Sequence, residues 1–404
     1  MITVLGQGYV GLPISIFAAE AGYIVSGFDI DSEKILKLQN GISSSPEVTS
    51  ERLLRLQQEG RIKFSSDIRE QSDSSIFIIA VPTPLDSNHN PDLTFLESAC
   101  KLIAQVIKPG SLIINESTSY IGTLRDFIKP MVENISNLDG LDYAVAPERI
   151  DPGNLIWNLK NTTRIIGGLN QNSIDRAKTF YESFCDTTIV VSAPEVAEAA
   201  KLFENTFRQV NIALANEFSE LAFKFGFSAH ESIVAASTKP FGFMPFFPSI
   251  GTGGHCIPVD PSYLVFSGET MGASTSIIKL ANSINRSMPK NTVERIKAFL
   301  GGDLLNKQLQ VAGITYKPNI ADLRESPAIS LINMLEKNGA KVKWSDPYVR
   351  FFNDQESAPL DPNIDLGLIV TPHSKFDFSV WKNAGTKVLD LSPNANDFGW
   401  LKFF

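Results

Sequence analysis

"VLGQGYVGLP", residues 4 to 13, places Gly6, Gly8 and Gly11 directly behind a short apolar run. In this G-x-G-x-x-G spacing the first glycine permits a tight turn and the second lets a pyrophosphate approach the backbone. The third lets a helix pack on the strand, and the N-terminus of that helix favours negative charge. Tyr9 and Val10 complete the turn. The next apolar run, "YIVSGFDID", ends at Asp29, about 20 residues beyond the glycines, where a carboxylate accepts the ribose hydroxyls of a dinucleotide. A carboxylate there repels a 2′-phosphate, so NAD is expected rather than NADP.

The same rhythm continues outward. "SIFIIAVP", "SLIINEST", "DYAVAPE", "TRIIGG" and "TTIVVS" read as strands buried on both faces, with helical spacing in "DLTFLESACKLIAQVI" and "NSIDRAKTFYESF". Such alternation predicts βαβ units and a mainly parallel, doubly wound sheet over residues 1–190. Thr83 and Thr118 follow two of these runs and are expected on the cofactor's edge of the sheet. A long helix is predicted from Pro194, suited to a first turn, to about Phe225, with Gly226 as its stop. A second helical stretch follows near "TSIIKLANSINRSMPKNTVERIKAFL". This connector, 191–300, is also the expected dimer surface. From Gln308 the α/β pattern resumes in "QLQVAGITYKP", "SPAISLINMLEKNGAKVKWSDP", "DLGLIVTP" and "KVLDLS". The expected α/β fold is therefore two Rossmann-like doubly wound sheets joined by a helical connector, the second over 301–404. Strand ends in such sheets face ligand clefts, so a cleft between the domains is expected.

Composition narrows the class. Hydrophobic residues make up 43% of the 404 and charged ones 20%, the balance of a globular protein. The formal net charge of −8 and the lack of a basic stripe argue against nucleic acid as a partner. No apolar run suits a bilayer, and the chain enters its first strand almost at once, so a cytoplasmic protein without a signal peptide is expected.

Cys100, Cys185 and Cys256 match neither a disulfide framework nor zinc-ligand spacing, and no metal is expected. The first two lie in ordinary helix contexts. Cys256 instead sits in "GTGGHCIPVDP", residues 251 to 261, behind glycines that let a small ligand close to the backbone and four positions before Asp260. A cysteine so placed is either an inert thiol in a tight turn or a nucleophile.

"GQGYVGLP", "AVPTP", "EST", "APERIDPGN", "AKLFENTFRQVNIALANE", "GTGGHCIPVDP" and "KPNIADLRESPA" follow one another in the order of the UDP-sugar 6-dehydrogenase family, which the chain resembles over nearly its entire length. "GGHCIPVDP", "ERIDPGN" and "TKPFGF" resemble the UDP-N-acetylhexosamine branch, especially the UDP-N-acetylglucosamine enzymes. UDP-N-acetylmannosamine and UDP-glucose are alternative substrates. The resemblance implies a four-electron oxidation of the sugar's carbon-6 alcohol, with two NAD reduced and Cys256 as nucleophile. It gives Lys201 and Asn205 the role of stabilising charge on the sugar oxygen and Asp260 a part with the lysine in the first proton removal. Glu148 becomes the base that activates water, with Thr118 holding that water. His255 is expected to shape the pocket or meet the N-acetyl group, Lys317 to contact substrate, and Arg324 to reach the cofactor or bridge the domains. Phe241 and Phe243 either line the sugar site or pack locally. His89, His230 and His373 fall outside every motif and read as structural or exposed.

One departure is visible. The branch commonly reads PGPG before an apolar residue and GG, whereas this chain has Pro248, Ser249, Ile250, Gly251 and Thr252 before Gly253 and Gly254. Bacterial capsule and lipopolysaccharide O-antigen are the destinations the resemblance implies. A non-catalytic nucleotide-sugar or NAD sensor, and a single-step dehydrogenase of the 6-phosphogluconate type, are the readings set against it.

Overall fold

The computed structural model describes residues 1–404 except Ser44, Pro46, Pro152, Gly153, Leu155, His255 and 394–400. Its contacts divide the chain into two compact units: Met1–Glu204 with Ser262–Gly272, and Asn205–Pro261 with Ala273–Phe404.

The first unit is built on eight strands: β1 (Ile2–Leu5), β2 (Val25–Phe28), β3 (Ile62–Ser65), β4 (Ile76–Ile79), β5 (Leu112–Asn115), β6 (Asp142–Val145), β7 (Arg164–Gly168) and β8 (Thr188–Val190). They lie in the order β3-β2-β1-β4-β5-β6-β7-β8, parallel throughout except where β7 runs against β6. Successive residues of a strand point to opposite faces, so an all-apolar strand needs two cores. Val4, Ile78 and Ile114 pack into one, Leu5, Phe77, Ile79 and Ile113 into the other. Seven of the strands coincide with predicted apolar runs. The eighth, β3, was not predicted; its "IKFS" exposes Lys63 and offers no apolar run.

The long helix is Pro194–Phe225, followed by Gly226 at φ +77°, which makes it a left-handed stop. Ser276–Phe299 and Pro327–Lys337 are also helical, and Asp260–Thr270 forms a helix that the sequence reading did not anticipate.

The second unit's sheet comprises β9 (Gln308–Ala312), β10 (Lys341–Ser345), β13 (Leu366–Ile369), β14 (Val388–Asp390) and β15 (Leu401–Lys402), all parallel in the order β10-β9-β13-β14-β15. A small hairpin, β11 (Phe351–Phe352) and β12 (Gln355–Glu356), stands apart from it. Leu309, Val311, Leu366 and Leu368 bury one face against the helices, while Ala312 and Ile369 pack on Trp381. No helix among the described residues is long and apolar enough to cross a membrane.

Candidate active site

In the first unit the glycine turn has the geometry its spacing predicts. Gly6 has φ +90°, and a Cβ there would lie 2.4 Å from the Ala80 carbonyl oxygen; a Cβ on Gly11 would lie 1.8 Å from that of Gly6. Both positions are closed to any side chain. Gly8 is exposed, and a Cβ there would meet nothing within 4 Å, so open space faces the turn where a pyrophosphate would lie. The helix Gly11–Glu20 has no side chain capping its first amides and no acid in its first turn, leaving its positive end to an anion. Tyr9 and Val10 are half-buried beside it. Asp29 follows β2 and accepts hydrogen bonds from the Gln7 amide at 2.8 Å, the Asp31 amide at 3.0 Å and Lys34 Nζ at 2.8 Å. These residues fit an adenine dinucleotide.

Thr83 and Thr118 follow β4 and β5, the strands next in line after β1, and the Ser117 hydroxyl donates to the Val81 carbonyl at 2.8 Å, tying the two loops together. Thr83 is buried and Thr118 half-buried.

Behind them lies a buried charged group that the sequence reading did not identify. Arg164 donates to Glu116 Oε2 at 2.7 Å, and the Tyr181 hydroxyl donates to Glu116 Oε1. Burial raises the Glu116 pKa against the pull of Arg164. An arginine opening an otherwise apolar strand, "RIIGG", was the available signal.

Glu148 stands three residues beyond β6. It is half-buried, but its Oε1 is shielded from water and has no hydrogen-bond partner among the described residues. Burial pushes its pKa up to about 7; the nearby positive charges of Lys201 and Arg164 oppose the shift and Glu116 adds to it. A carboxylate poised near neutrality with a free lone pair is equipped to take a proton from water. Lys201 is itself buried.

In the second unit, Asn205 lies one helical turn after Lys201, and its Nδ2 donates to Asp260 Oδ2 at 2.5 Å; both residues are buried. Asp260 opens the helix Asp260–Thr270, and its amide returns to the Cys256 carbonyl at 2.8 Å. Cys256 is exposed, whereas Cys100 and Cys185 are buried. Burial, with the charge of Glu97, pushes the Cys100 thiol up to about 12, and burial raises Cys185 as well. Cys100 lies on a helix as expected. Cys185 does not: the helix Gln171–Glu182 has already ended, and the thiol turns to the Leu159 carbonyl.

The glycines before Cys256 let this loop lie against Tyr316. A Cβ on Gly253 or Gly254 would come within 2.7 Å of Tyr316, and the Gly254 amide donates to the Arg324 carbonyl at 3.0 Å. The substituted stretch ahead of them is held by other means. Ile250 is buried in the second unit's core, and the Ser249 amide donates to Asn216 Oδ1 at 2.8 Å. Asn216 in turn donates to Asn285, and Gln209 to Asn282, a buried ladder of amides between two helices. Polar residues at helical spacing had suggested no such ladder.

Lys317 is half-buried in the turn after β9, and the Arg324 guanidinium lies on Asp322, with Nη2 2.6 Å from Oδ2. Phe241 and Phe243 are exposed, with Lys239 Nζ 5.0 Å from the centroid of the Phe241 ring. His255 lies outside the described residues. His89 is exposed and His230 stacks on Phe247, while His373 is fully buried in a polar cluster.

Three family models cover most of the chain: the NAD binding domain of the UDP-glucose/GDP-mannose dehydrogenase family matches residues 1–185, its central domain 195–287 and its UDP binding domain 310–394. The chain is 38% identical over 402 residues to the UDP-N-acetyl-D-mannosamine dehydrogenase of Pyrococcus horikoshii, covering 95% of this chain and 92% of that protein. It is 33% identical over 355 residues to the UDP-N-acetyl-D-glucosamine 6-dehydrogenase of Pseudomonas aeruginosa, covering 86% and 83%. The solved structure of the Pyrococcus horikoshii UDP-D-ManNAc dehydrogenase superposes with a TM-score of 0.90 at 34% identity, covering 100% of this chain and 98% of that one. The chain therefore belongs to the UDP-glucose/GDP-mannose dehydrogenase family and is an NAD-dependent UDP-sugar dehydrogenase.

Proposed function

We propose that the protein oxidises carbon-6 of UDP-N-acetylmannosamine from alcohol to carboxylate, through a thioester on Cys256. The observation that carries this reading is the exposure of Cys256, in contrast to Cys100 and Cys185, which are both buried. Among the sugars compatible with the chemistry, the mannosamine is favoured by the Pyrococcus horikoshii relative. The Pseudomonas aeruginosa relative supports UDP-N-acetylglucosamine as the second reading, the two substrates differing only at carbon-2.

Bound NAD, held by the Gly6–Gly11 turn and Asp29, supplies a hydride acceptor for each of the two oxidations. In the first, Asp260 with Lys201 takes the alcohol proton as hydride leaves carbon-6. Lys201 and Asn205 stabilise the negative charge that builds on the oxygen as that proton departs. The aldehyde is a poor hydride donor until a nucleophile adds. The Cys256 thiolate attacks its carbon, the oxygen takes a proton, and the thiohemiacetal so formed gives up that hydroxyl proton to the same base as it releases the second hydride, leaving a thioester. Water opens the thioester: Glu148 accepts the water's proton, Thr118 holds the water, and the thiolate departs as the carboxylate forms. Lys317 contacts the UDP-sugar.

The apolar side chains of Phe203, Phe207, Leu214, Leu221 and Phe225, exposed along the helix Pro194–Phe225 at spacings of four and seven, support a homodimer.

The test is the number of NADH formed per sugar consumed, with UDP-N-acetylmannosamine, UDP-N-acetylglucosamine, UDP-N-acetylgalactosamine and UDP-glucose compared. Two NADH with the mannosamine preferred is the expected result. Cys256→Ser should slow acid formation about a thousandfold or more. One NADH per sugar, or full acid production by the serine variant, overturns the thioester route.

A further inference from the structure

We infer that His373 is a positioning residue for UDP binding, holding in place the turn that carries Lys317. The inference rests on the reading that Lys317 contacts the UDP-sugar. His373 lies four residues beyond β13, and its imidazole is wholly buried. The Asn319 amide donates to Nδ1 at 2.9 Å, so Nδ1 is the unprotonated nitrogen. Nε2 then carries the hydrogen, with Asp346 Oδ2 at 2.9 Å and Thr315 Oγ1 at 3.2 Å. The Thr315 hydroxyl donates to the Lys317 carbonyl at 3.0 Å. One ring therefore grips both ends of the turn Thr315–Asn319, and Lys317 sits at its centre.

Other contacts show how fully the turn is specified. The Thr371 hydroxyl donates to the Thr315 carbonyl at 2.6 Å, and Asn319 Oδ1 accepts from the Ser374 amide and hydroxyl, each at 2.9 Å. Asn319 itself has φ +65°, a left-handed conformation that needs such support. A ring wanted only for packing would be apolar, because burying two polar nitrogens is costly unless both are satisfied. Here one nitrogen accepts and the other donates, and each contact bears on the backbone around Lys317. Asp346 fixes the tautomer in which this is possible.

The experiment measures UDP affinity by titration calorimetry and the KM for UDP-sugar and for NAD, in wild type and variants. His373→Leu, which keeps the bulk and removes both nitrogens, should weaken UDP binding and raise the sugar KM at least about tenfold, leaving the NAD KM unchanged. His373→Asn keeps an acceptor near the position of Nδ1 and should restore affinity to within about threefold of wild type. Lys317→Ala is the control. If it weakens UDP binding while His373→Leu does not, the inference is wrong and the reading of Lys317 survives. If Lys317→Ala binds UDP like wild type, that reading fails and the inference falls with it. Should His373→Leu not fold, Thr315→Val decides, since it keeps the ring and cuts its link to the Lys317 carbonyl. About threefold weaker UDP binding supports the inference and unchanged binding overturns it.

Discussion

Where β1 ends and where β9 ends, the chain performs the same manoeuvre with different consequences. Gly6 and Gly313 both take positive φ, at +90° and +83°, and both donate to the carbonyl closing the neighbouring strand, Phe28 and Ser345, at 2.8 Å. The next amide, of Gln7 or Ile314, donates to the carboxylate after that strand, Asp29 at 2.8 Å or Asp346 at 2.9 Å. Two residues beyond the carboxylate, Asp31 and Tyr348 donate to its other oxygen. The difference lies in what else meets each carboxylate. Asp29 meets the flexible ammonium of Lys34, one-third exposed, which can yield to a ribose. Asp346 meets the buried ring of His373 and is sealed. The connection to the following helix differs too. Four residues separate Gly6 from the helix at Gly11, a turn tight enough for phosphate, whereas the chain after Gly313 runs on to Pro327 and carries Lys317 and Arg324 on the way. One backbone clasp thus shapes a dinucleotide turn in the first sheet and braces the loop that carries Lys317 in the second.

The severest break of this comparison is at its shared element. Alanine at Gly313 would put a Cβ 2.0 Å from the Thr371 carbonyl oxygen, and at Gly6 2.4 Å from that of Ala80, in each case with positive φ. Each substitution should cost about 3 kcal/mol or more, and thermal unfolding should show it in both variants. Gly8→Ala meets no atom, so its unfolding should match wild type while its KM for NAD rises about tenfold or more.

The carboxylates come next. Asp346→Asn turns an amide NH2 toward N–H donors that the buried carboxylate accepts, and should lose about 3 kcal/mol of stability with the NAD KM untouched. Asp29→Asn should do the reverse, raising the NAD KM about tenfold to a hundredfold, the worth of a charge-assisted hydrogen bond, with a small change in melting. If both variants lose stability alike and neither affects NAD, the two clasps are equivalent and the distinction drawn between them is wrong.

What the sequence disclosed follows the same division. The glycine turn, Asp29, the ends of the helix Pro194–Phe225 and most buried strands were legible because each is a local pattern. Strand β3 was not, with its exposed Lys63, nor was the helix beginning at Asp260, whose mean pattern is hardly amphipathic. Among the candidate site residues, Cys256, Lys201 and Glu148 were picked out by motif order, but their surroundings were not. The poise of Glu148 depends on Arg164, Lys201 and Glu116, and the grip of His373 on Thr315, Asn319 and Asp346. These partners are brought in by strand order, which no short window of sequence contains.

The smallest expected effect is the pH dependence at Glu148, and its sign sharpens the contrast with the sealed Asp346. Hydrogen bonds from His373 and the Tyr348 amide outweigh burial and keep Asp346 below the ordinary range, so its contribution to stability is lost only in acid. Glu148 is shifted the other way, from 4.5 to about 7. The folded state therefore holds this proton more tightly than the unfolded chain, and stability falls as pH rises from about 4.5 to about 7. Glu148→Gln should accordingly melt higher than wild type at pH ~8 and lose that advantage near pH ~5. As a base the group must be ionised, so hydrolysis of the thioester should fall about tenfold per unit below pH 7 yet gain only about twofold from pH 7 to 8. Single-turnover acid formation from the aldehyde isolates that step, and intact mass spectrometry of Glu148→Gln should find the sugar retained on Cys256 during turnover. A flat profile without a retained adduct would move the base elsewhere and leave Glu148 as a cost of burial alone.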